Sequence, residues 1–251
     1  MIWFWSFFPL SAVALAFGAR APTNASIGAS QIMNMTLSEE NYIKTIYHLS
    51  GISASATTTN AIAERMETKA SSVTDMLRKL AEKGLIDYKK YQGVTLTESG
   101  LHAAKMIVRK HRLWEVFLVN KLDFAWDEVH EIAEQLEHIQ SEKLIEKLDG
   151  FLGHPQIDPH GDPIPDAQGN IVRTAKMLLS ELPPAVDAVC VGVRDSSSAF
   201  LQYLDSRRIA LGTSIMVETR EHFDGSLVIV AGGKPLSISN KIAENIYVKT
   251  I

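Results

Sequence analysis

The stretch "NAIAERMETKASSVTDMLRKLAEKGLIDYKKYQG", Asn60 to Gly93, decides the fold. Ile62, Ala63 and Met66 share one side of a short helix over about Asn60 to Met66. Val73, Leu77 and Leu80 do the same for a second helix over about Ser71 to Lys83, and Gly84 suits its C-terminal end. The break "ETKAS" between them makes a helix-turn-helix. Short β-prone runs then flank "KKYQG", which reads as a hairpin. A helix-turn-helix followed at once by a small hairpin is the order of a winged helix.

Upstream, "LSEENYIKTIYHL" spaces Ile43, Ile46, Tyr47 and Leu49 as a helix, with Ser38 as its expected N-cap. Residues 1–34 differ from the rest. "MIWFWSFFPLSAVALAFGAR" has no charge before Arg20. It reads as a signal or anchor segment, or as the product of a start codon assigned too early, with Met35 or Met33 as the true start.

Downstream, Thr97 caps a long helix expected over about Glu98 to Asn120. Helices of about Trp126 to Ile139 and Ser141 to Phe151 follow. "GHPQIDPHGDPIPDAQGN" is dense in Pro and Gly and reads as loop. From about Val186, "AVCVGV", "SIMVET", "LVIVAG" and "ENIYVK" alternate like short strands, with the turn "FDGS" and a helix "SSSAFLQYLDSRR" among them. These predict a small β-barrel. The fold class is thus mainly α with small β parts. Its units are a winged-helix domain over 35–105, a helical domain over 106–175, a tether over 176–185 and a barrel over 186–251.

Composition limits the function. A net charge of −4 confines any nucleic-acid binding to a local patch. A single cysteine, Cys190, excludes a disulfide framework and a Cys-type zinc site, and fits a reducing compartment. Between Lys69 and Lys90 six bases face three acids. Charges of this kind are commonly a solvated helix face. Here Ser71, Ser72 and Thr74 open the second helix, where short hydroxyls reach phosphates and base edges. Lys69 and Arg78 flank them, and Lys89, Lys90 and Tyr91 tip the hairpin. DNA binding is the better reading, mainly through phosphates and sensitive to salt. Asp75 on the same helix opposes it.

The chemistry is concentrated further on, in "VHEIAEQLEH". At about 100° per residue from His130, Glu134 falls at about 40°, Glu137 at about −20° and His138 at about 80°. Val129, Ile132, Leu136 and Ile139 fall opposite, as a packing face. "RKHRLWEVF" sets His111 and Glu115 one turn apart on the preceding helix. Imidazole with carboxylate suits Mn²⁺, Fe²⁺, Co²⁺ or Zn²⁺. Glu134 stands where a His-Glu-x-x-His motif needs its second histidine, and no Glu-x-x-His pair occurs. No Gly-rich phosphate loop or Ser/His/Asp order appears, so an enzyme built on this helical region is the weaker alternative.

With "NYIKTIYHL", "IAERMETKASSVTDMLRKLAEKGLI", "LTESG", "RKHRLWEVFL", "VHEIAEQLEH" and "DPHGDPIP" in this order, the chain from about Met35 resembles the diphtheria toxin repressor and manganese transport regulator family. These are homodimeric, metal-activated repressors with an SH3-like third domain. The resemblance implies an activating site of Asn41, Glu134, Glu137 and His138, and a second site of His111, Glu115 and His130. Asp195 is only a weak substitute for the barrel ligands of iron-type members. A carboxylate at Glu134, in place of a thiolate, leans the site towards Mn²⁺, with Fe²⁺ the alternative and Zn²⁺ or Co²⁺ as substitutes. Asn41 supplies a neutral amide oxygen. His154 and His160 are expected to be structural. The implied protein is cytoplasmic, binds a double-stranded DNA operator as a homodimer, controls metal uptake, and needs neither a small-molecule substrate nor a membrane.

Overall fold

The computed structural model describes residues 35–51, 56–89, 92–172 and 174–251. The N-terminal extension, with its signal-or-late-start question, and the wing residues Lys90 and Tyr91 lie outside the described residues.

Helix α1 spans Leu37–Ser50. Its cap is Thr36, two residues before the expected Ser38. The Thr36 hydroxyl accepts from Glu39 N while the Glu39 carboxylate accepts from Thr36 N, a reciprocal capping box. Helices α2 (Thr59–Arg65) and α3 (Ala70–Glu82) form the helix-turn-helix. Val73, Leu77 and Leu80 are fully buried, against Ile43, Ile46 and Ile62 among others. Each such side chain contributes about 1.5–3 kcal/mol by leaving water. Strands β1 (Ile86–Lys89) and β2 (Gly93–Leu96) pair antiparallel, Ile86 opposite Leu96 and Lys89 opposite Gly93, and form the wing.

Thr97 caps the long helix α4 (Glu98–Leu122), its hydroxyl accepting from Gly100 N. A Cβ on Gly100 would lie 1.8 Å from the Leu85 carbonyl oxygen, so only glycine lets α4 start pressed against the entry to the wing. This helix leaves the winged-helix core at Ile107 and enters a second core at Leu113. There it packs with α5 (Val129–Leu136) and α6 (Glu142–Phe151) through Trp114, Val116, Ala133, Ile145 and Leu148.

The last part is one antiparallel sheet in the order β3-β8-β4-β5-β6-β7. Its strands are β3 (Met177–Leu178), β4 (Asp187–Val193), β5 (Ser214–Arg220), β6 (Leu227–Ala231), β7 (Lys234–Ile238) and β8 (Ile246–Thr250). Helix α7 (Ser198–Ser206) and the short α8 (Asn240–Ala243) complete it. Bulges between Cys190 and Gly192 and between Val217 and Thr219 bend the sheet round one core. The segment expected as a tether is part of this unit. Met177 and Leu178 pair with Val248 and Tyr247, and Leu179 and Leu182 are fully buried in the barrel core. Apolar burial, which the Pro-rich spacing concealed, holds it there.

The barrel docks on the helical domain. Trp126 Nε1 donates to Asp205 Oδ2 (3.0 Å), Gln202 to Asp127 Oδ2 (2.7 Å) and Ser198 to the Asp127 carbonyl (2.8 Å). Among the described residues, no helix is long and apolar enough to cross a membrane.

Candidate metal centre and nucleic-acid interface

The middle of α4 buries Arg109, Lys110, His111 and Glu115. Charged side chains are rarely buried unless paired, so this row points inward for a reason other than packing. Glu115, with its side chain 3% exposed, is the centre. Its Oε1 lies 3.0 Å from His111 Nε2 and 3.6 Å from His130 Nδ1, and its Oε2 lies 3.7 Å from His160 Nδ1. All its ion pairs among the described residues are with these three imidazoles. Two ligand groups therefore share it: His111, Glu115 and His130, and Glu115, Asp158 and His160.

The surroundings orient these donors. His160 Nε2 donates to the Trp126 carbonyl (2.8 Å), which turns Nδ1 towards Glu115, and the ring stacks on Trp126. His111 Nδ1 donates to Glu137 Oε2 (2.6 Å), which leaves Nε2 facing Glu115. A histidine held through one ring nitrogen offers the other as a ligand in a fixed direction. Asp158 Oδ1 accepts from the backbone N–H of His160 and Asp162 and shapes the loop, while Arg112 Nε pairs with its Oδ2 at 3.2 Å. Gly161 makes the loop fit. Its φ is +85°, and a Cβ would sit 2.1 Å from the Val191 carbonyl oxygen, so His160 is pressed against β4.

The charges are strongly coupled. Burial opposes ionisation of Glu115, but the hydrogen bonds from His111, His130 and His160 win and hold it far below the usual carboxylate range. Burial disfavours the His160 imidazolium, yet Glu115 and then Asp158 push its pKa up to about 9. His111 is likewise raised by Glu115 and Glu137 against its burial. Burial, followed by the nearby Glu115 charge, raises Asp158. The cluster thus draws in positive charge. Nitrogen and oxygen donors converging on one buried carboxylate fit a divalent ion.

The residues assigned to the activating site are less gathered. Helix α5 ends at Leu136 with Glu137 as its C-cap, the Glu137 N–H still bonded to the Ala133 carbonyl, and His138 follows outside the helix. His130 and Glu134 stay on its exposed rim, 3.5 Å apart. Glu137 is buried at the C-cap, and His138 Nε2 is 3.9 Å from its Oε1. Asn41 is half-buried on α1 and makes no side-chain hydrogen bond among the described residues. The neighbouring Glu40 does make contact, and sequence reasoning missed it. Fully buried, it accepts from His138 Nδ1 (2.5 Å) and Gln140 (2.7 Å), with Lys110 at 3.7 Å. Asp195 is exposed, accepts from Ser197 N, and joins neither ligand group. His154 is exposed and pairs with Asp149 (2.8 Å). His160, expected to be only structural, lies instead in the cluster; the loop had no periodicity from which to orient its ring.

On the other face, Lys69, Ser71, Ser72, Arg78 and Lys89 are exposed. The Thr74 hydroxyl bonds back to the Ala70 carbonyl (2.9 Å), and Arg78 pairs with Asp75 (3.3 Å).

Comparison with known proteins extends these observations. Residues 34–94 match the family model described as the iron dependent repressor N-terminal DNA binding domain, and residues 97–166 its metal binding and dimerisation domain. Residues 177–250 match the FeoA domain. A probable metal transport system membrane protein of Chlamydia trachomatis is 44% identical over 86 residues, covering 34% of this chain and 19% of that protein. The iron-dependent repressor IdeR of Mycobacterium tuberculosis is 27% identical over 230 residues, covering 84% and 96%. A solved manganese-dependent transcriptional repressor in complex with manganese is 36% identical with a TM-score of 0.75, covering 85% of this chain and all of that one.

Proposed function

The chain belongs to the diphtheria toxin repressor and manganese transport regulator family of metal-dependent, DNA-binding transcriptional repressors, and from that premise we propose that it is a manganese-responsive repressor of metal-uptake genes. As a DNA-binding regulator it is not an enzyme. The proposed setting is the cytoplasm and the proposed state a homodimer on an operator of two half-sites. The observation that carries the metal reading is Glu115, a buried carboxylate ringed by three imidazoles.

The assignment of His111, Glu115 and His130 to one site, with Asp158 and His160 beside them, rests on that geometry. Asn41, Glu134, Glu137 and His138 remain the proposed activating set, now with Glu40 behind His138. A divalent ion held by these residues would tie α1 to the end of α5. Glu134 donates hard oxygen and no thiolate is at hand, which favours Mn²⁺; a manganese-bound relative of 36% identity agrees with this. Fe²⁺ is the second reading, favoured by the iron-dependent repressors among the relatives. Glu40 fixes the tautomer of His138, and α1 in turn packs on α3, so ordering at the site reaches the DNA-reading helix.

The test is a mobility shift on the chain's own upstream region, titrated with Mn²⁺, Fe²⁺ and Zn²⁺. The expected result is binding that Mn²⁺ supports at the lowest concentration, that chelator abolishes, and that Glu134→Ala and His138→Ala lose while retaining their fold. Binding that ignores chelator would overturn the reading.

A further inference from the structure

Lys44 lies on α1, one turn beyond Glu40, and its side chain is 12% exposed. Its Nζ is 2.6 Å from Glu137 Oε2, 3.5 Å from Glu134 Oε1 and 3.4 Å from His111 Nδ1. Its partners are thus the two carboxylates of the activating set, and its ammonium also abuts His111 of the second set, a like-charge neighbour rather than a bonding partner, so it stands at the junction between the two. No other lysine or arginine pairs with Glu134 or Glu137 among the described residues.

We propose that Lys44 is the internal counter-cation of the activating site, holding Glu134 and Glu137 in the metal-free protein and competing with the divalent ion for them. The inference rests on the function proposed above and names what sets its threshold. An ion bound through Glu134 and Glu137 oxygens brings two positive charges close to the Lys44 ammonium. At a partly buried position that repulsion is weakly screened. Lysine suits the role because it is a point charge on a flexible stem, able to swing outward while its methylenes stay packed. A merely structural bridge between α1 and the end of α5 would do the opposite on removal, loosening the site and weakening metal uptake.

The experiment compares wild type with Lys44→Met, Lys44→Gln and Lys44→Arg. Mn²⁺ affinity is read by calorimetry and the melting temperature is read in chelator. Lys44→Met should bind Mn²⁺ about ten-fold more tightly, equivalent to about 1.4 kcal/mol, and melt lower in chelator because Glu137 loses a partner. Lys44→Gln keeps a donor for Glu137 without the charge and should give the same ranking if charge is what competes. Lys44→Arg should stay within about three-fold of wild type, since it keeps the charge. Equal or weaker Mn²⁺ binding by both neutral variants overturns the role of Lys44. Wild-type protein that takes up no Mn²⁺ overturns the metal reading itself.

Discussion

Glu115 is a buried carboxylate whose partners are all titratable, and this gives the metal-free protein a definite pH dependence. The pKa of His160 is raised from about 6.5 to about 9 in the folded state. A raised pKa means that the stabilisation is complete below about 6.5 and is lost as pH rises through about 9. That rise corresponds to at most roughly 3 kcal/mol, and His111 acts in the same direction. In chelator, the melting temperature should therefore fall between pH 6.5 and 9.5. With Mn²⁺ present, affinity should rise over the same interval, because metal and proton compete for the same nitrogens. Glu115→Gln should flatten the first trend and remove the second. A flat wild-type profile in chelator would sink the argument. At this scale the sequence was informative where a helix supplied the phase, as for His111 and Glu115. It was silent for His160, which sits in a loop, and for Glu40, whose capping-region position resembled an ordinary acidic first turn.

At the scale of elements, helical periodicity predicted α1 to α4 and α6 closely, because each buries one apolar stripe. It failed past Leu136. There the chain turns, with Ile139 N bonding to the Leu136 carbonyl, and Ser141 caps the next helix. Burial differs along this stretch, with His130 and Glu134 exposed and Glu137 buried, although Glu134 and Glu137 both reach the Lys44 ammonium. The two-residue strand β3 was equally illegible, since two residues carry no alternation. The exposed face of α3 was legible from its charges and hydroxyls. Its Arg78–Asp75 pair is exposed on both sides, and such pairs are worth at most about 1 kcal/mol, so a phosphate can readily capture Arg78. Arg78→Ala should weaken operator binding roughly equally across operator variants. It should also reduce the slope of log affinity against log salt by about one. A slope equal to wild type would remove Arg78 from the interface.

At the scale of the molecule, the order of winged helix, metal-binding helices and barrel was readable from the motifs, whereas the way the parts associate depends on surfaces. One such surface lies on the helical domain. Phe151 is 63% exposed at the end of α6, its ring 6.4 Å from Phe117 and under the Lys121 ammonium at 5.2 Å, with Leu122 and Leu144 also exposed. Leu144 and Phe151, seven residues apart on α6, share one face of it, and exposed apolar side chains so placed are better covered than left in water. Their domain matches the one described as metal binding and dimerisation. A two-fold contact through this patch would bring Phe151 near its own copy. Phe151→Glu should therefore shift sedimentation from dimer to monomer. It should also cut affinity for an operator of two half-sites far more than for an isolated half-site, because a dimer gains from the high effective concentration of its second reading head. Mn²⁺ uptake per chain should stay intact, since the patch shares no residue with the ligand groups. A Phe151→Glu protein that remains dimeric and binds the full operator normally would place the seam elsewhere.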